Sequence, residues 1–261
     1  MRGWVVYFSP FMKVIVIIPA AGLGTRMAGL TAGAKPEPRP TTKQFAEIGG
    51  VPVLIHTLRK FDRSPQISEI YVALRGAEAT GFRPRLEKEG FEKTIRIVEG
   101  GENRQASVAN ALAQVRAAPD DIVLVHDAVR PFVDAEIIAA VIEAAARQGA
   151  AIAGLPAMDT VKQVERTAAG AIVTSTLPRE RVVMAQTPQG FRYSVLKNAF
   201  DEAQADGFTG TDEASLVERS GHEVAVVMGS QKNIKITTPA DLELAEFYAA
   251  QENRRRASLT G

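Results

Sequence analysis

The order of apolar runs and amphipathic stretches predicts an α/β protein whose mostly parallel sheet is covered by helices on both faces. The first run, VIVII at 14–18, is apolar at every position. A strand with two apolar faces is typical of a parallel sheet buried on both sides. Later apolar runs alternate with helical patterns, which favours parallel strands joined by helices. A β-rich stretch at 158–181 interrupts the alternation and predicts a hairpin.

The remaining elements are predicted from the same two periodicities. Apolar runs predict strands at 13–18, 69–74, 94–98, 121–125, 150–155 and 223–228. Apolar spacings of three and four residues predict helices at 52–62, 104–117, 135–148, 193–205 and 239–250. Ligands of such sheets bind beyond the carboxyl ends of the strands, so residues that directly follow a strand are candidates for a site.

The segment after the first strand, PAAGLGTRM at 19–27, is a small-residue loop that ends in an arginine. The backbone N–H groups around Gly22 and Gly24, with the guanidinium of Arg26, can together cradle a phosphate. Met27 occupies the third glycine position of the dinucleotide fingerprint, which weakens that interpretation, and no Walker sequence occurs. On this motif alone, a strand followed by an ordinary glycine turn stays open.

Two further residues are candidates for the same rim of the sheet. Asp127 directly follows the strand at 121–125, where a carboxylate is suited to Mg²⁺ or another divalent cation held with triphosphate oxygens. Capping of the next turn is the alternative for it. Lys235 is expected on a short strand just before a helix start, Thr238-Pro239, and a solvated surface lysine is its alternative.

Two other short motifs predict only local structure. A plain turn is one interpretation of the TPQG sequence at 187–190, which is a weak motif when taken alone. The GTDEA sequence at 210–214 fits either a plain turn or a helix start, with Thr211 as the N-cap and acidic residues in the first turn.

Composition excludes several kinds of site. The net charge of +1 gives no electrostatic case for a nucleic-acid partner. The absence of cysteine excludes disulfides, thiol nucleophiles and thiolate metal sites, and it fits a cytoplasmic protein. The three histidines are scattered, which argues against a histidine-built zinc site. No apolar stretch reaches the roughly 18 residues of a membrane span.

The chain is interpreted as one domain with two appendages. Residues 1–12 are expected to be a disordered or mis-assigned extension with Met12 as the natural initiator, and 251–261 a solvated tail. Within the domain at 13–250, the hairpin at 158–181 is expected to lean on a second subunit, because a two-stranded hairpin is marginal alone. The proline-rich segment 30–42 is expected to be a long mobile loop.

Eight short motifs occur in order along the chain. They are PAAGLGTRM at 19–27, KQF at 43–45, GGENRQASV at 100–108, HDAVRP at 126–131, DTVK at 159–162, TPQ at 187–189, TDEA at 211–214 and NIKIT at 233–237. This ordered set resembles the 2-C-methyl-D-erythritol 4-phosphate cytidylyltransferase family over about residues 13–250. Each motif is modest, but the set in this order is specific.

The resemblance implies a Rossmann-like nucleotidyltransferase that joins CTP to a sugar-alcohol phosphate and works as a homodimer through the 158–181 arm. The implied catalytic cations are Arg26, Lys43 and Lys235, with Asp127 as the Mg²⁺ ligand. The implied nucleotide-binding residues are Ala20, Ala21, Gly22, Gly24, Gly101 and Ser107. The implied sugar-phosphate pocket is formed by Arg130, Thr160, Arg179, Thr187 and Thr211, some of them donated by the partner's arm.

Two other functions stay open at this point. A ribitol-5-phosphate cytidylyltransferase shares nearly all of these motifs and differs in its sugar-phosphate pocket. A non-catalytic nucleotide-binding protein is expected to lack some of the four residues Arg26, Lys43, Asp127 and Lys235, and all four are present. The chain departs from the family in its longer loop before Lys43, in Thr25 where a basic residue is usual, and in Glu102 where aspartate is usual.

Overall fold

A computed structural model describes residues 12–22, 42–168 and 170–260. Its strands are β1 (Val14–Pro19), β2 (Glu47–Ile48), β3 (Val51–Pro52), β4 (Glu69–Leu74), β5 (Thr94–Glu99), β6 (Ile122–Val125), β7 (Ala150–Pro156), β8 (Val161–Thr167), β9 (Gly170–Leu177), β10 (Val183–Arg192) and β11 (Ala225–Met228). Its α-helices are α1 (Val53–Asp62), α2 (Gly76–Glu89), α3 (Arg104–Leu112), α4 (Ala135–Gln148), α5 (Tyr193–Ala205), α6 (Glu213–Arg219) and α7 (Pro239–Thr260).

Seven strands form one sheet in the order β11-β7-β10-β6-β1-β4-β5. Neighbouring strands are parallel except at β10, which runs antiparallel to both β6 and β7. The chain first builds outward from β1 through β4 to β5 and then returns to place β6 on the other side of β1. Such a reversal opens a crevice at the carboxyl ends of β1 and β6, where ligands of open α/β sheets bind.

The residues of β1 alternate between two hydrophobic cores, as a strand buried on both faces requires. Val14, Val16 and Ile18 pack on one side with α1, α2 and α4. Ile15 and Ile17 pack on the other side with α3, α5 and α6. The predicted mostly parallel sheet with helices on both faces is therefore confirmed.

All six predicted strands are found, with ends shifted by at most two residues. Helix α3 stops five residues before its predicted end, whereas α7 continues ten residues beyond its own, through the segment expected to be a tail. Helix α2 is not predicted from the sequence, because Gly81 and Pro84 lie inside it and Phe82 is its only buried residue. Over the described ranges, no helix has both the length and the apolar character needed to cross a bilayer.

The interpretation of 187–190 as a plain turn is wrong, because these residues lie within strand β10. Pro188 cannot donate a ladder hydrogen bond, and the pairing of β10 with β7 shifts register between Ala185 and Gln189 around it. This irregularity accommodates a proline in an interior strand. Because proline is more typical of turns, the sequence does not indicate a strand here.

The predicted hairpin is present as β8 and β9, which pair with each other and not with the main sheet. This arm, residues 158–181, leaves the carboxyl end of β7, and β10 returns from it into the sheet. Its described side chains are mostly exposed, including the apolar Val164, Ile172 and Val173. The arm thus projects from the same end of the sheet as the crevice.

Two local predictions near the C-terminus need correction. Asp212 rather than Thr211 caps α6: its carboxylate accepts a hydrogen bond from the Ser215 backbone N–H at 3.0 Å, and Ser215 completes a capping box. Lys235 lies in irregular chain rather than on a strand. The start of α7 is as predicted, with the Thr238 hydroxyl accepting from the Asp241 backbone N–H at 3.3 Å.

Candidate active site at the carboxyl ends of β1 and β6

A cavity of about 220 Å³ opens in the crevice beyond β1 and β6. Its lining combines small residues with a set of charged side chains: Pro19, Ala20, Ala21, Gly22, Lys43, Gln44, Arg104, Ser107, Asp127, Ala128, Val129 and Lys235. A larger groove of about 580 Å³ between α3 and α5 contains none of the predicted site residues. The convergence of charge marks the crevice, rather than the groove, as the candidate site.

The wall after β1 is held close to neighbouring backbone. The Ala20 N–H donates to the Ala73 carbonyl at 2.8 Å, which extends the sheet ladder by one residue. A Cβ on Gly100 would lie 2.2 Å from the Ala21 Cβ, so only glycine permits this approach. Next to it, the Gly101 N–H donates to the Ser107 hydroxyl at 3.0 Å. The predicted cytidine-pocket residues described by the structure therefore form one continuous wall.

Lys43 belongs to a single 3₁₀ turn, Lys43–Phe45, and its side chain is largely buried. The neighbouring Gln44 donates from its amide to the Ala20 carbonyl at 2.7 Å. Phe45 packs against Phe82 of α2, with 5.4 Å between the ring centroids. These contacts fix the turn that carries Lys43 against the β1 wall.

Asp127 lies at the centre of three cations. Its Oδ1 accepts from Arg104 Nε at 3.2 Å, and its Oδ2 contacts Arg130 Nε at 3.3 Å and Lys235 Nζ at 2.9 Å. Burial acts to raise the pKa of Asp127, but Arg104, Lys235 and Arg130 together outweigh it and hold that pKa well below its usual range. The carboxylate is therefore ionised at neutral pH, and among the described residues it contacts these cations rather than the N–H groups of the next turn.

Arg104 also binds a second buried acid. One of its terminal nitrogens donates to both carboxylate oxygens of Glu213 at 2.7 Å each. Burial raises the pKa of Glu213, and Arg104 opposes that rise. Burial likewise disfavours the charged form of Arg104, yet Glu213 and Asp127 more than offset it and raise the pKa of Arg104. The guanidinium thus bridges two carboxylates.

His126 supports Asp127 from behind. Its Nε2 lies 3.0 Å from the Arg130 carbonyl, which can only accept, so Nε2 carries the proton. Nδ1 then accepts from the Thr187 hydroxyl at 3.1 Å, and that hydroxyl accepts from the Asp127 N–H at 3.0 Å. Burial lowers the pKa of His126 to about 4, so the ring is neutral. The Thr187 hydroxyl is therefore already committed within the protein.

The segment that carries Lys235 is tied to the same loop. The Ile236 N–H donates to the Val129 carbonyl at 2.9 Å. The buried Asn233 donates from its amide to the Thr187 carbonyl at 2.8 Å, and its backbone carbonyl accepts from Arg130 at 2.7 Å. Lys235 nevertheless keeps 41% of its side chain exposed, so its ammonium reaches the cavity from an anchored backbone.

The structure brings together most of the predicted site. Ala20, Ala21, Gly22, Lys43, Ser107, Asp127 and Lys235 line the cavity, and Gly101 and Arg130 directly contact this set. Thr160, Arg179 and Thr211 are exposed and are not part of the lining, and Arg179 contacts the Met158 carbonyl at the base of the arm. Arg26 and Gly24 lie outside the described residues, as does the loop at 30–42 up to residue 41.

Sequence reasoning missed Arg104 and Glu213, although both lie inside motifs that it singled out. The GGENRQASV motif contains Arg104, and the TDEA motif contains Glu213. From the sequence, Glu213 is expected only to be an acidic residue in the first turn of a helix. Its burial is compensated by a long-range ion pair with Arg104 of α3, which the sequence does not predict. A buried charge of this kind needs a partner of opposite sign, which the sequence alone does not locate.

The donor set fits a divalent metal that arrives with a triphosphate. Asp127 is an ionised carboxylate in the cavity, and Mg²⁺ commonly takes one or two protein carboxylates with phosphate oxygens supplying further ligands. Over the described residues, no group of three or more His, Cys, Asp or Glu side chains could form a protein-only metal site. Glu213, the nearby second acid, is already bound by Arg104.

The fold and the cavity together define a nucleotidyltransferase: an open, mostly parallel sheet whose carboxyl end presents lysines, arginines and one ionised carboxylate around a small-residue wall. The family model for 2-C-methyl-D-erythritol 4-phosphate cytidylyltransferase (IspD) matches residues 14–251. The chain belongs to this family.

Similar proteins agree with this assignment. The 2-C-methyl-D-erythritol 4-phosphate cytidylyltransferase of Acidobacterium capsulatum is 59% identical over 244 residues, covering 94% of this chain and 100% of that protein. The protein of the same name from Solibacter usitatus is 52% identical over 245 residues, which cover 94% of this chain and 98% of that protein. The crystal structure of the Thermus thermophilus cytidylyltransferase aligns with a TM-score of 0.69 at 36% identity, covering 92% and 100%. The crystal structure of the Anaerococcus prevotii 4-diphosphocytidyl-2C-methyl-D-erythritol synthase aligns with a TM-score of 0.76 at 30% sequence identity. The alignment covers 92% of this chain and 96% of that chain.

Proposed function

We propose that this cavity joins CTP to 2-C-methyl-D-erythritol 4-phosphate, forming 4-diphosphocytidyl-2-C-methyl-D-erythritol and pyrophosphate for isoprenoid precursor synthesis. The observation that carries the proposal is the cluster of Arg104, Arg130 and Lys235 around the ionised Asp127 at the sheet's carboxyl end. Membership of the family supplies the identity of the two substrates.

The chemistry explains why cations dominate. A substrate phosphate oxygen attacks the α-phosphorus of CTP, a bond to that oxygen forms, and the bond to the leaving pyrophosphate breaks. The attacking oxygen is already an anion, so a strong general base is unnecessary. The protein must instead bring two anions together, hold them in line and stabilise the charge that grows between them.

We assign the catalytic roles to three cations. Arg26 and Lys43 bind the triphosphate, with the arginine offering a bidentate grip and the lysine a point charge. Lys235 holds the α-phosphate region and the incoming phosphate. The support for Lys43 and Lys235 is their place in the cavity lining.

We carry the two binding pockets over from the family resemblance, and the cavity lining supports only part of the cytidine pocket. The wall of Ala20, Ala21, Gly22, Gly101 and Ser107, together with Gly24, receives the cytidine. The resemblance assigns the sugar phosphate to Arg130, Thr160, Arg179, Thr187 and Thr211, although the Thr187 hydroxyl is already bonded to His126 and to the Asp127 N–H. Thr160 and Arg179 lie on the arm, and we assign their contribution to the neighbouring subunit's cavity.

Asp127 would hold Mg²⁺ or another divalent cation, which neutralises phosphate charge when it is bound. Lys235 contacts the same carboxylate from an exposed position and can turn to a phosphate when the metal and CTP enter. Asp127 itself stays anchored, since its N–H is bonded to Thr187 and its Oδ1 to Arg104.

We further propose a homodimer formed through the arm, with residues 13–250 as the catalytic domain of a cytoplasmic enzyme. The exposed apolar side chains Val164, Ile172 and Val173 on a two-stranded hairpin support a partner surface, because such a hairpin is marginally stable alone.

A substrate panel tests the reaction. Pyrophosphate release is measured with CTP, ATP, GTP or UTP against methylerythritol 4-phosphate or ribitol 5-phosphate, each with and without Mg²⁺. We expect release only with CTP, methylerythritol 4-phosphate and Mg²⁺. Release with ribitol 5-phosphate but not methylerythritol 4-phosphate would move the assignment to the pentitol-phosphate enzyme, and no release in any combination would contradict a transferase.

A further inference from the structure

Glu213 is a buried acid that the proposed reaction does not use. Only 1% of its side chain is exposed, and both of its oxygens bind the same terminal nitrogen of Arg104. Arg104 lines the cavity and directs its Nε to Asp127 Oδ1. Glu213 therefore lies one side chain behind the residue assigned to the metal.

We propose that Glu213 is a positioning residue that acts through Arg104: it holds the guanidinium so that Asp127 stays available to a divalent cation. The inference rests on the proposed function, in which Asp127 takes the metal. In this role, the charge of Glu213 increases the affinity of the site for the metal and decreases its affinity for a triphosphate without metal.

Both effects follow from the charges of the cluster. Asp127 and Glu213 face Arg104, Arg130 and Lys235, and these two acids and three cations leave a net charge of +1. Loss of the Glu213 charge would make the cluster more positive and would leave Arg104 with Asp127 as its remaining anionic partner among the described residues. A more positive cluster attracts a triphosphate more strongly and a divalent cation less strongly.

Glu213 is held rigidly enough for this role. It occupies the first turn of α6, whose start is fixed by a capping box. Gln189 of β10 accepts from the Ala214 N–H at 3.0 Å and donates to Asp212 at 2.7 Å. The backbone of the turn that carries Glu213 is thus fixed by the strand that also carries Thr187.

The competing explanation is a salt bridge that only fastens α6 to α3. Loss of such a bridge would lower stability and weaken binding of both metal and nucleotide in the same direction. The positioning role instead predicts that the two affinities change in opposite directions. That difference separates the two explanations even if the variant is less stable.

The test compares Glu213→Gln with Glu218→Gln, which removes the same charge from an exposed position on the same helix. CTP binding is measured by calorimetry in EDTA, and the Mg²⁺ concentration for half-maximal activity is measured separately. For Glu213→Gln we expect CTP to bind about tenfold more tightly without metal and the Mg²⁺ requirement to rise about tenfold. Glu218→Gln should match the parent in both measurements.

A double variant covers the case in which Glu213→Gln fails to fold. Arg104→Gln should weaken metal-free CTP binding, and Arg104→Gln/Glu213→Gln should restore it to within about threefold of the parent, because the net charge returns. Weaker or unchanged metal-free CTP binding in Glu213→Gln, or no restoration in the double variant, would overturn the inference. Metal-free binding needs no turnover, so this outcome is separate from a failure of the proposed reaction.

Discussion

Lys235 shows how a single exposed charge can belong to a buried cluster. Its ammonium contacts Asp127 at 2.9 Å while 41% of the side chain remains exposed. The helix start at Thr238-Pro239 predicts that Lys235 lies at the rim of the sheet. From the sequence alone, however, an ordinary solvated surface lysine remains the alternative. The contact with an ionised, buried carboxylate favours the functional interpretation.

Replacement of Lys235 by alanine should lower kcat by on the order of 10²–10³, since a preorganised charge at the reacting phosphate is lost. The fold should persist, because the side chain is partly exposed and Asp127 keeps Arg104 and Arg130. Steady-state pyrophosphate release and far-UV circular dichroism measure the two effects. Lys232→Ala, an exposed lysine three residues earlier, serves as the control. Near-parental kcat in Lys235→Ala would remove this residue from the mechanism.

The free energy of unfolding should depend on pH through His126. Its pKa in the fold is about 4, below the usual 6.5, so between these values the unfolded chain binds a proton that the folded chain does not. Stability should therefore fall as pH decreases from about 6.5 to 4, with this residue contributing at most about 3.5 kcal/mol.

Urea unfolding across this pH range measures the effect. His126→Asn should flatten the decrease, whereas His222→Asn, at an exposed position, should leave the slope as in the parent. An unchanged slope in His126→Asn would contradict the assignment of the neutral buried ring.

At the scale of residues, the sequence predicts the groups that follow strands, because strand direction alone places them at the rim. It does not predict Arg104 and Glu213 as a pair, since 109 positions separate them along the chain. Nor does it predict that the Thr187 hydroxyl is shared between His126 and the Asp127 backbone. Such partners depend on how helices pack on the sheet, and periodicity carries no information about that.

Among the secondary-structure elements, the sequence predicts those in which the spacing of apolar residues matches either a strand or a helix throughout. Strand β1 is apolar at each of the positions 14–18, and its ends lie within one residue of the prediction. Strand β10 contains a proline and a register shift, and helix α2 contains a glycine and a proline, so neither shows a clean period. The irregular β10 carries Thr187 and Gln189, which support the site from behind.

Close backbone packing at the β1 wall gives a prediction for Gly100. An alanine Cβ would lie 2.2 Å from the Ala21 Cβ, so the wall must move. We expect Gly100→Ala to cost about 1–3 kcal/mol of stability and to raise the KM for CTP more than that for the sugar phosphate. Gly81→Ala in α2 meets no atom within 4 Å and should be neutral or stabilising by up to about 1 kcal/mol. Equal stabilities and KM values in the two variants would contradict the close-packing argument.

At the scale of the whole molecule, the arm gives a prediction about assembly. Ile172 is 61% exposed on β9, and a charge there would be buried in the partner contact that we propose. Light scattering of the parent at micromolar concentration should give a dimer, and Ile172→Asp should weaken it at least tenfold. Ala168→Asp, at the turn of the hairpin, adds the same charge as a control. A monomeric parent would exclude the arm as a dimer contact.

The arm grows from the end of β7 that faces the cavity, so in a dimer each catalytic centre would be assembled from two chains. Two defective chains could then complement each other. In the proposed mechanism, Lys235→Ala removes a residue of the cavity and leaves the arm unchanged, whereas Arg179→Ala removes a residue of the arm and leaves the cavity unchanged. Equal mixing of the two inactive proteins, with subunit exchange, should therefore recover about a quarter of the parental activity, because half of the dimers would be mixed and each would contain one intact centre.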